Sequence, residues 1–312
     1  MILYIVVPCF NEEEGIVQSA ERLNGFLAEL MEKNRISSNS KIVFVNDGSR
    51  DKTKELLENI CKNNISCSLI SFSRNFGHQY AVLAGYHFSK DKCDACISID
   101  ADLQQDINAI YDFLDCYEKG NDIVYGVRND RNTDGFFKKS TSQIFYRFMS
   151  KMGCEVIPNH ADYRLLSKKA LNELSHYPEG AVFLRGLIPT MGMKSDIVYF
   201  DVFERTAGQS KYTMKKMLKL AMDGITSFSD KPVFAILKIS LISIVISIVL
   251  FIINAIITPE KITMVLFALG FLFSGLIELC IWIIGVYVVR TYLESKNRPR
   301  YIIESVIHEV NE

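Results

Sequence analysis

The chain has 312 residues, with 35 Lys or Arg against 36 Asp or Glu and a formal net charge of −1. So even a balance leaves no electrostatic footprint for nucleic acid, and no nucleic-acid partner is expected. Length allows one large domain or two smaller ones, but the residue classes are unevenly spread: residues 1–232 mix charged and apolar side chains, and the character changes abruptly at Val233.

Ile2–Val7 is a continuous apolar run ended by Pro8, the pattern of a buried strand and too short for a signal peptide. An amphipathic helix is predicted over about Glu12–Lys33, with Asn11 as its N-cap. Ile42–Val45 reads as a second strand, stopped by Asn46-Asp47-Gly48-Ser49, with a helix to about Asn63. Ser68–Phe72 and Ala95–Ile99 are the third and fourth strands, followed by helices over His78–Phe88 and Ile107–Lys119, and Asp122–Val127 is a fifth strand. This alternation predicts an α/β fold with a mostly parallel sheet covered on both faces, and ligands beyond the C-terminal strand ends.

Further on, residues 211–228 (KYTMKKMLKLAMDGITSF) place Met214, Met217, Leu218 and Ala221 on one helical face and lysines on the other, as an interfacial helix does. Residues 239–257 contain no charged side chain, and residues 262–289 only Glu278. Each run is long enough for a transmembrane helix, which needs about 20 residues, and the few residues around Thr258–Lys261 make the pair a hairpin. Lysines before it (Lys211, Lys215, Lys216, Lys219, Lys231) and Arg290, Lys296, Arg298 and Arg300 after it place both flanks in the cytoplasm. The expected organisation is a cytoplasmic catalytic domain (1–210), an amphipathic juxtamembrane segment (211–232), a two-helix transmembrane hairpin (233–289) and a cytoplasmic tail (290–312), in a multi-pass protein of the cytoplasmic membrane. Glu278 is costly in lipid and is expected to face protein. The eight cysteines are expected as free thiols, and the lone CxxC of Cys93 and Cys96 lacks the second pair of a zinc site.

The chemistry gathers at three strand ends: Pro8-Cys9-Phe10-Asn11-Glu12-Glu13, Asn46-Asp47-Gly48-Ser49, and Asp100-Ala101-Asp102-Leu103-Gln104. For Asp47 or Glu12 taken singly, capping or turn formation competes evenly with function. Asp100 and Asp102 differ, because two carboxylates one residue apart repel unless a cation lies between them. Mg²⁺ or Mn²⁺ binds in this way through one or two carboxylates and substrate phosphates. The absence of GxGxxG and GxxxxGK[ST] disfavours a dinucleotide-binding dehydrogenase and a P-loop NTPase.

PCFNEEE (8–14), VNDGSRDKT (45–53), SFSRNFGHQ (71–79) and SIDADLQQD (98–106) together resemble glycosyltransferase family 2, whose GT-A domain binds a nucleotide-diphosphate sugar through a divalent metal. YGVRNDR (125–131), ADYRLLS (161–167), FLRGL (183–187), RTAGQSKY (205–212) and DGITSFSDKP (223–232) narrow the resemblance to polyprenyl-phosphate glycosyltransferases of the bactoprenol glucosyltransferase and dolichyl-phosphate mannosyltransferase type, over essentially the whole chain. The resemblance implies inverting transfer of a sugar to a membrane polyprenyl phosphate, with UDP-glucose favoured as donor by the two-helix tail. GDP-mannose, UDP-N-acetylglucosamine and a modified pentose donor stay open, since no motif reads the sugar.

By the same resemblance, Pro8, Asn11, Glu12 and Asp47 hold the base and ribose, while Asp100, Asp102 and Gln104 hold the metal and diphosphate. Asp162 matches the proposed catalytic base, and Asp102 and Arg205 join it in the catalytic set. Arg128, Arg131 and Lys211, with Arg205, are the candidates to meet the acceptor lipid phosphate, since an arginine fork matches phosphate oxygens. An acceptor phosphate monoester, with a second pKa near about 6, hardly needs deprotonation, so Asp162 either orients it or removes a residual proton. Asn46 and Gln105 depart from the family pattern, where Asp is frequent at both. A homo-oligomer, with a tetramer as the suggested form, is also implied. A processive synthase is disfavoured by the two spans and the lack of QxxRW, and a scaffold or flippase with a dead domain by the intact Asp-x-Asp and RTAGQSKY.

Overall fold

A computed structural model describes residues 1–129, 160–178, 183–202 and 262–307, together with positions 238, 242, 245, 248, 249 and 252. Arg131, Arg205, Lys211, the juxtamembrane segment and most of the first apolar run lie outside these residues. Two compact units divide the chain, one holding every strand and the other the long apolar helix.

In the first unit, β1 (Leu3–Cys9), β2 (Lys41–Asn46), β3 (Cys67–Phe72) and β4 (Ala95–Ser98) alternate with α1 (Ile16–Glu32), α2 (Thr53–Asn63), α3 (His78–Ser89) and α4 (Ala109–Glu118). β5 (Ile123–Arg128), β6 (His160–Ser167), α5 (Lys168–Ser175), α6 (Leu184–Thr190) and β7 (Ser195–Phe200) follow, and β8 (Ile303–Ile307) comes after α7 (Ile262–Ser295) of the second unit. The eight strands form one sheet in the order β7-β5-β6-β4-β1-β2-β3-β8. β3, β2, β1 and β4 are mutually parallel, as the βα alternation requires. Antiparallel β6 separates β4 from β5, so the fifth strand does not extend the parallel block directly.

Every residue of β1 is buried, including Pro8. The strand therefore runs past the proline expected to end it. β4 pairs with β1 only as far as Ser98 opposite Val6, which leaves Pro8 on a stretch with β2 as its ladder partner and makes its missing N–H tolerable. On α1, Ile16, Ala20, Leu23, Leu27 and Leu30 form the buried stripe of an amphipathic helix. α3 lies close on β1: a Cβ on Gly85 would stand 2.3 Å from Val6 Cγ1.

Part of the expected cytoplasmic tail is built into the sheet. β8 pairs antiparallel with β3, covering what would be an exposed edge. Tyr301 stacks on Phe72 at 5.1 Å and hydrogen-bonds through its hydroxyl with His87 Nδ1 at 2.9 Å, and Lys54 pairs with Glu304.

In the second unit, α7 has 34 residues, a length of about 50 Å at the usual helical rise. Its Gly275–Ser295 portion has a mean hydropathy of 1.8, and it is the one helix among the described residues long and apolar enough to cross a membrane. Glu278 is exposed on it. Two spans are thus not established by the described residues.

Candidate active site

The C-terminal ends of β1 and β2 are laced together by their loops. Asn11, at φ 53°, is not the N-cap of α1, which begins five residues later at Ile16 with Gly15 before it. Its side-chain oxygen instead accepts the Arg50 N–H at 2.9 Å, while its own N–H donates to Ser49 Oγ at 3.1 Å. Glu12 N–H donates to Thr53 Oγ1 at 2.8 Å, and Asn46 Oδ1 accepts the Ser49 N–H at 3.1 Å. Pro8, Asn11, Glu12 and Asp47 are thereby brought to one corner.

Asp47 is committed elsewhere within that corner. Its Oδ1 accepts the Phe76 N–H at 2.7 Å, and its Oδ2 accepts the Gly77 N–H at 2.9 Å and Asn75 Nδ2 at 2.8 Å. Burial raises its carboxyl pKa, and the two backbone N–H groups offset that only in part. The carboxylate thus clamps the loop that leads from β3 into α3. Gly48 permits the clamp: its φ is +60°, and a Cβ there would lie 2.2 Å from the Arg74 carbonyl carbon.

Asp100 and Asp102 stand on a turn just past β4, where Asp100 carbonyl oxygen accepts the Leu103 N–H at 3.2 Å and Leu103 has φ 45°. Gln104 N–H donates to Asp102 Oδ1 at 3.3 Å. Gln105, 2 % exposed, donates from Nε2 to Asp100 Oδ2 at 2.6 Å, leaving Oδ1 facing His78 Nε2 at 3.7 Å. No group of three or more His, Cys, Asp or Glu placed to hold a metal occurs among the described residues. A hard cation held by Asp100, Asp102 and Gln104 would need further oxygens, which a diphosphate supplies, and the donor set fits Mg²⁺ or Mn²⁺ on those terms.

β6 continues the register that pairs Ser98 with Arg164, setting Asp162 beside the position just past β4. Asp162 is buried, and Arg164, Arg185 and Gln79 all donate to it. Burial alone would raise its carboxyl, but the Arg185 and Arg164 guanidiniums override that and hold it well below the usual carboxylate range. His78 Nε2 lies 3.6 Å from Asp162 Oδ2, so the imidazole stands between the Asp100 carboxylate and this buried one. Arg128 closes β5 in register with Phe200, at the same edge of the sheet.

Residues 4–186 match the family description "Glycosyl transferase family 2". The chain belongs to glycosyltransferase family 2. It is 45 % identical over 97 % of its length to an uncharacterized glycosyltransferase, YkoT, of Bacillus subtilis, covering 91 % of that protein. It is 35 % identical to a prophage bactoprenol glucosyl transferase homolog of Escherichia coli, and 34 % to the bactoprenol glucosyl transferase of Shigella phage SfX. In both cases 98 % of this chain aligns with 99 % of the relative.

His78, Gln79 and Arg185, which surround Asp162, lie in the SFSRNFGHQ and FLRGL motifs of this family 2 domain, but the sequence alone does not single them out. The signal available was positional. His78 and Gln79 follow a glycine at a strand-to-helix junction, at the edge where the carboxylates also stand. Arg185 gave no such signal, because α6 is a seven-residue helix far along the chain.

Proposed function

We propose that this glycosyltransferase moves a sugar, with inversion, from a nucleotide-diphosphate donor to a polyprenyl phosphate in the membrane, with UDP-glucose as the favoured donor. The full-length likeness to bactoprenol glucosyl transferases carries the reading. Pro8, Asn11 and Glu12 would receive the base and ribose, with Asp47 fixing the neighbouring loop. Asp100, Asp102 and Gln104 would hold Mg²⁺ or Mn²⁺ together with the diphosphate. When bound, the metal neutralises charge growing on the leaving diphosphate. Arg128, Arg131, Arg205 and Lys211 would meet phosphate oxygens.

The acceptor lives in the bilayer, and the membrane segments suit that. A hairpin of two spans, with the catalytic domain on the cytoplasmic side and the segment 211–232 on the head groups, would bring the site to its lipid. A homo-oligomer belongs to the same proposal.

The test supplies purified full-length protein with Mg²⁺ or Mn²⁺, polyprenyl phosphate and one radiolabelled nucleotide sugar at a time. Chloroform-soluble label with UDP-glucose is the expected result. Label only with GDP-mannose or UDP-N-acetylglucosamine would replace the donor, and no labelled lipid with any common donor would sink the proposal.

A further inference from the structure

Asp162 has no acceptor position to spare. Its Oδ1 takes Arg164 Nη2 and Arg185 Nε, the latter at 3.2 Å. Its Oδ2 takes Arg185 Nη2 at 2.9 Å and Gln79 Nε2 at 3.1 Å. An ionised carboxylate offers about four lone-pair sites, and all four are filled. Taking a proton would require one donor to withdraw and would leave two guanidiniums facing a neutral acid.

One of the donors is itself anchored. Gln79 Oε1 accepts the Leu184 N–H at 3.0 Å, so the amide that reaches Asp162 also fixes the backbone next to Arg185. The starts of α3, β6 and α6 therefore converge on this one carboxylate. Arg164 is fully buried, whereas the Arg185 side chain is 23 % exposed and that of His78 41 %. Of the two guanidiniums, Arg185 is the one that reaches the surface, and it shares Asp162 Oδ2 with His78 Nε2, which in turn faces Asp100 Oδ1. A planar guanidinium in that place matches phosphate oxygens.

We propose that Asp162 is a positioning residue that holds Arg185 as a phosphate-receiving group, and that no proton passes to it. The inference rests on the reaction proposed above. In that reaction an acceptor phosphate oxygen bonds to the anomeric carbon as the bond from that carbon to the donor diphosphate breaks. The electron pair leaves on the diphosphate. Because the attacking phosphate is already ionised, the step balances without a base.

The experiment compares wild type, Asp162→Asn, Arg185→Ala, Arg185→Lys and the Asp162→Asn/Arg185→Ala double variant, each as full-length protein, by lipid labelling and by titration with UDP. The expected result is that Asp162→Asn and Arg185→Ala each slow turnover by about 100-fold or more and shift the same Michaelis constant. The double variant should be no slower than the worse single within about threefold, and Arg185→Lys should recover part of the loss. Weaker UDP binding in Arg185→Ala would assign the guanidinium to the donor diphosphate. Unchanged UDP binding with a raised Michaelis constant for the lipid would assign it to the acceptor, and either result supports the proposal.

It is overturned if Asp162→Asn slows the Arg185→Ala protein as much as it slows wild type, or lowers kcat alone with both Michaelis constants unchanged, the signature of a base. Should Asp162→Asn fail to fold, Arg185→Ala decides alone, and wild-type kinetics in it overturn the proposal. Should wild type label no lipid, the reaction itself fails. Equal weakening of UDP binding by the two single variants then supports the positioning role, and unequal weakening overturns it.

Discussion

Gln105 and Asp100 hold each other at both ends: Gln105 Nε2 donates to Asp100 Oδ2 at 2.6 Å, and its Oε1 accepts the Asp100 N–H at 3.2 Å. An aspartate at position 105 could not donate and would set a second carboxylate against the first. Gln105→Asp is therefore expected to destabilise the metal-free protein by about 1–3 kcal/mol, the cost of an unsatisfied buried polar group. Mg²⁺ or Mn²⁺ should recover part of that loss by neutralising the added charge. Thermal unfolding with and without metal measures both effects, and a midpoint indifferent to the substitution would refute the lock.

Asp47 is expected to act through the loop it clamps. Asp47→Asn keeps an oxygen for one N–H but turns an amide nitrogen toward another donor among Phe76 N, Gly77 N and Asn75 Nδ2. A loss of about 2 kcal/mol in denaturant unfolding should accompany any loss of nucleotide affinity. Weakened nucleotide binding at unchanged stability would instead return Asp47 to direct contact with the ligand.

Gly48→Ala is the sharper test of the same clamp. The added methyl would meet the Arg74 carbonyl carbon at 2.2 Å and the Asn75 nitrogen at 2.5 Å, and both are backbone atoms that cannot rotate away. Loss of more than about 3 kcal/mol, or of soluble protein altogether, is expected, beyond the usual overpacking cost. A circular-dichroism melt close to wild type would show that the two loops are not held in this contact.

These locks also mark how far the sequence was legible. β1 to β4 could be read directly because continuous apolar runs identify strands buried on both faces, and the carboxylates at their ends were visible for the same reason. The start of α1 was misplaced because residues 11–15 spend their polar groups on the β2 loop, a partner more than 30 residues away. The insertion of β6 between β4 and β5, and the docking of β8 on β3, are long-range pairings that no local periodicity announces. Asp162 could be placed by its motif, but its partners come from three separate segments, so its saturation by Arg164, Arg185 and Gln79 could not be foreseen.

The docking of β8 should weaken in acid through His87. Burial, with help from Arg300 and Lys90, lowers its imidazole pKa to about 4, from an unfolded value of 6.5. Its Nε2 has no hydrogen-bond partner among the described residues, and Nδ1 meets the Tyr301 hydroxyl. Since the folded pKa is depressed, the unfolded chain binds more protons between the two values, and stability rises with pH across that window. The contribution is therefore full above about pH 6.5 and lost as pH falls toward 4, with an upper bound of about 3 kcal/mol, reduced by the partial exposure of the ring. Hydrogen exchange of the β3 and β8 amides at pH 7.5 and pH 5 should show faster opening at the lower pH. His87→Gln, which cannot take up the proton, should flatten that difference, whereas Tyr301→Phe should speed opening at both pH values. If His87→Gln kept the full pH dependence, the switch would have to lie elsewhere than in this pair.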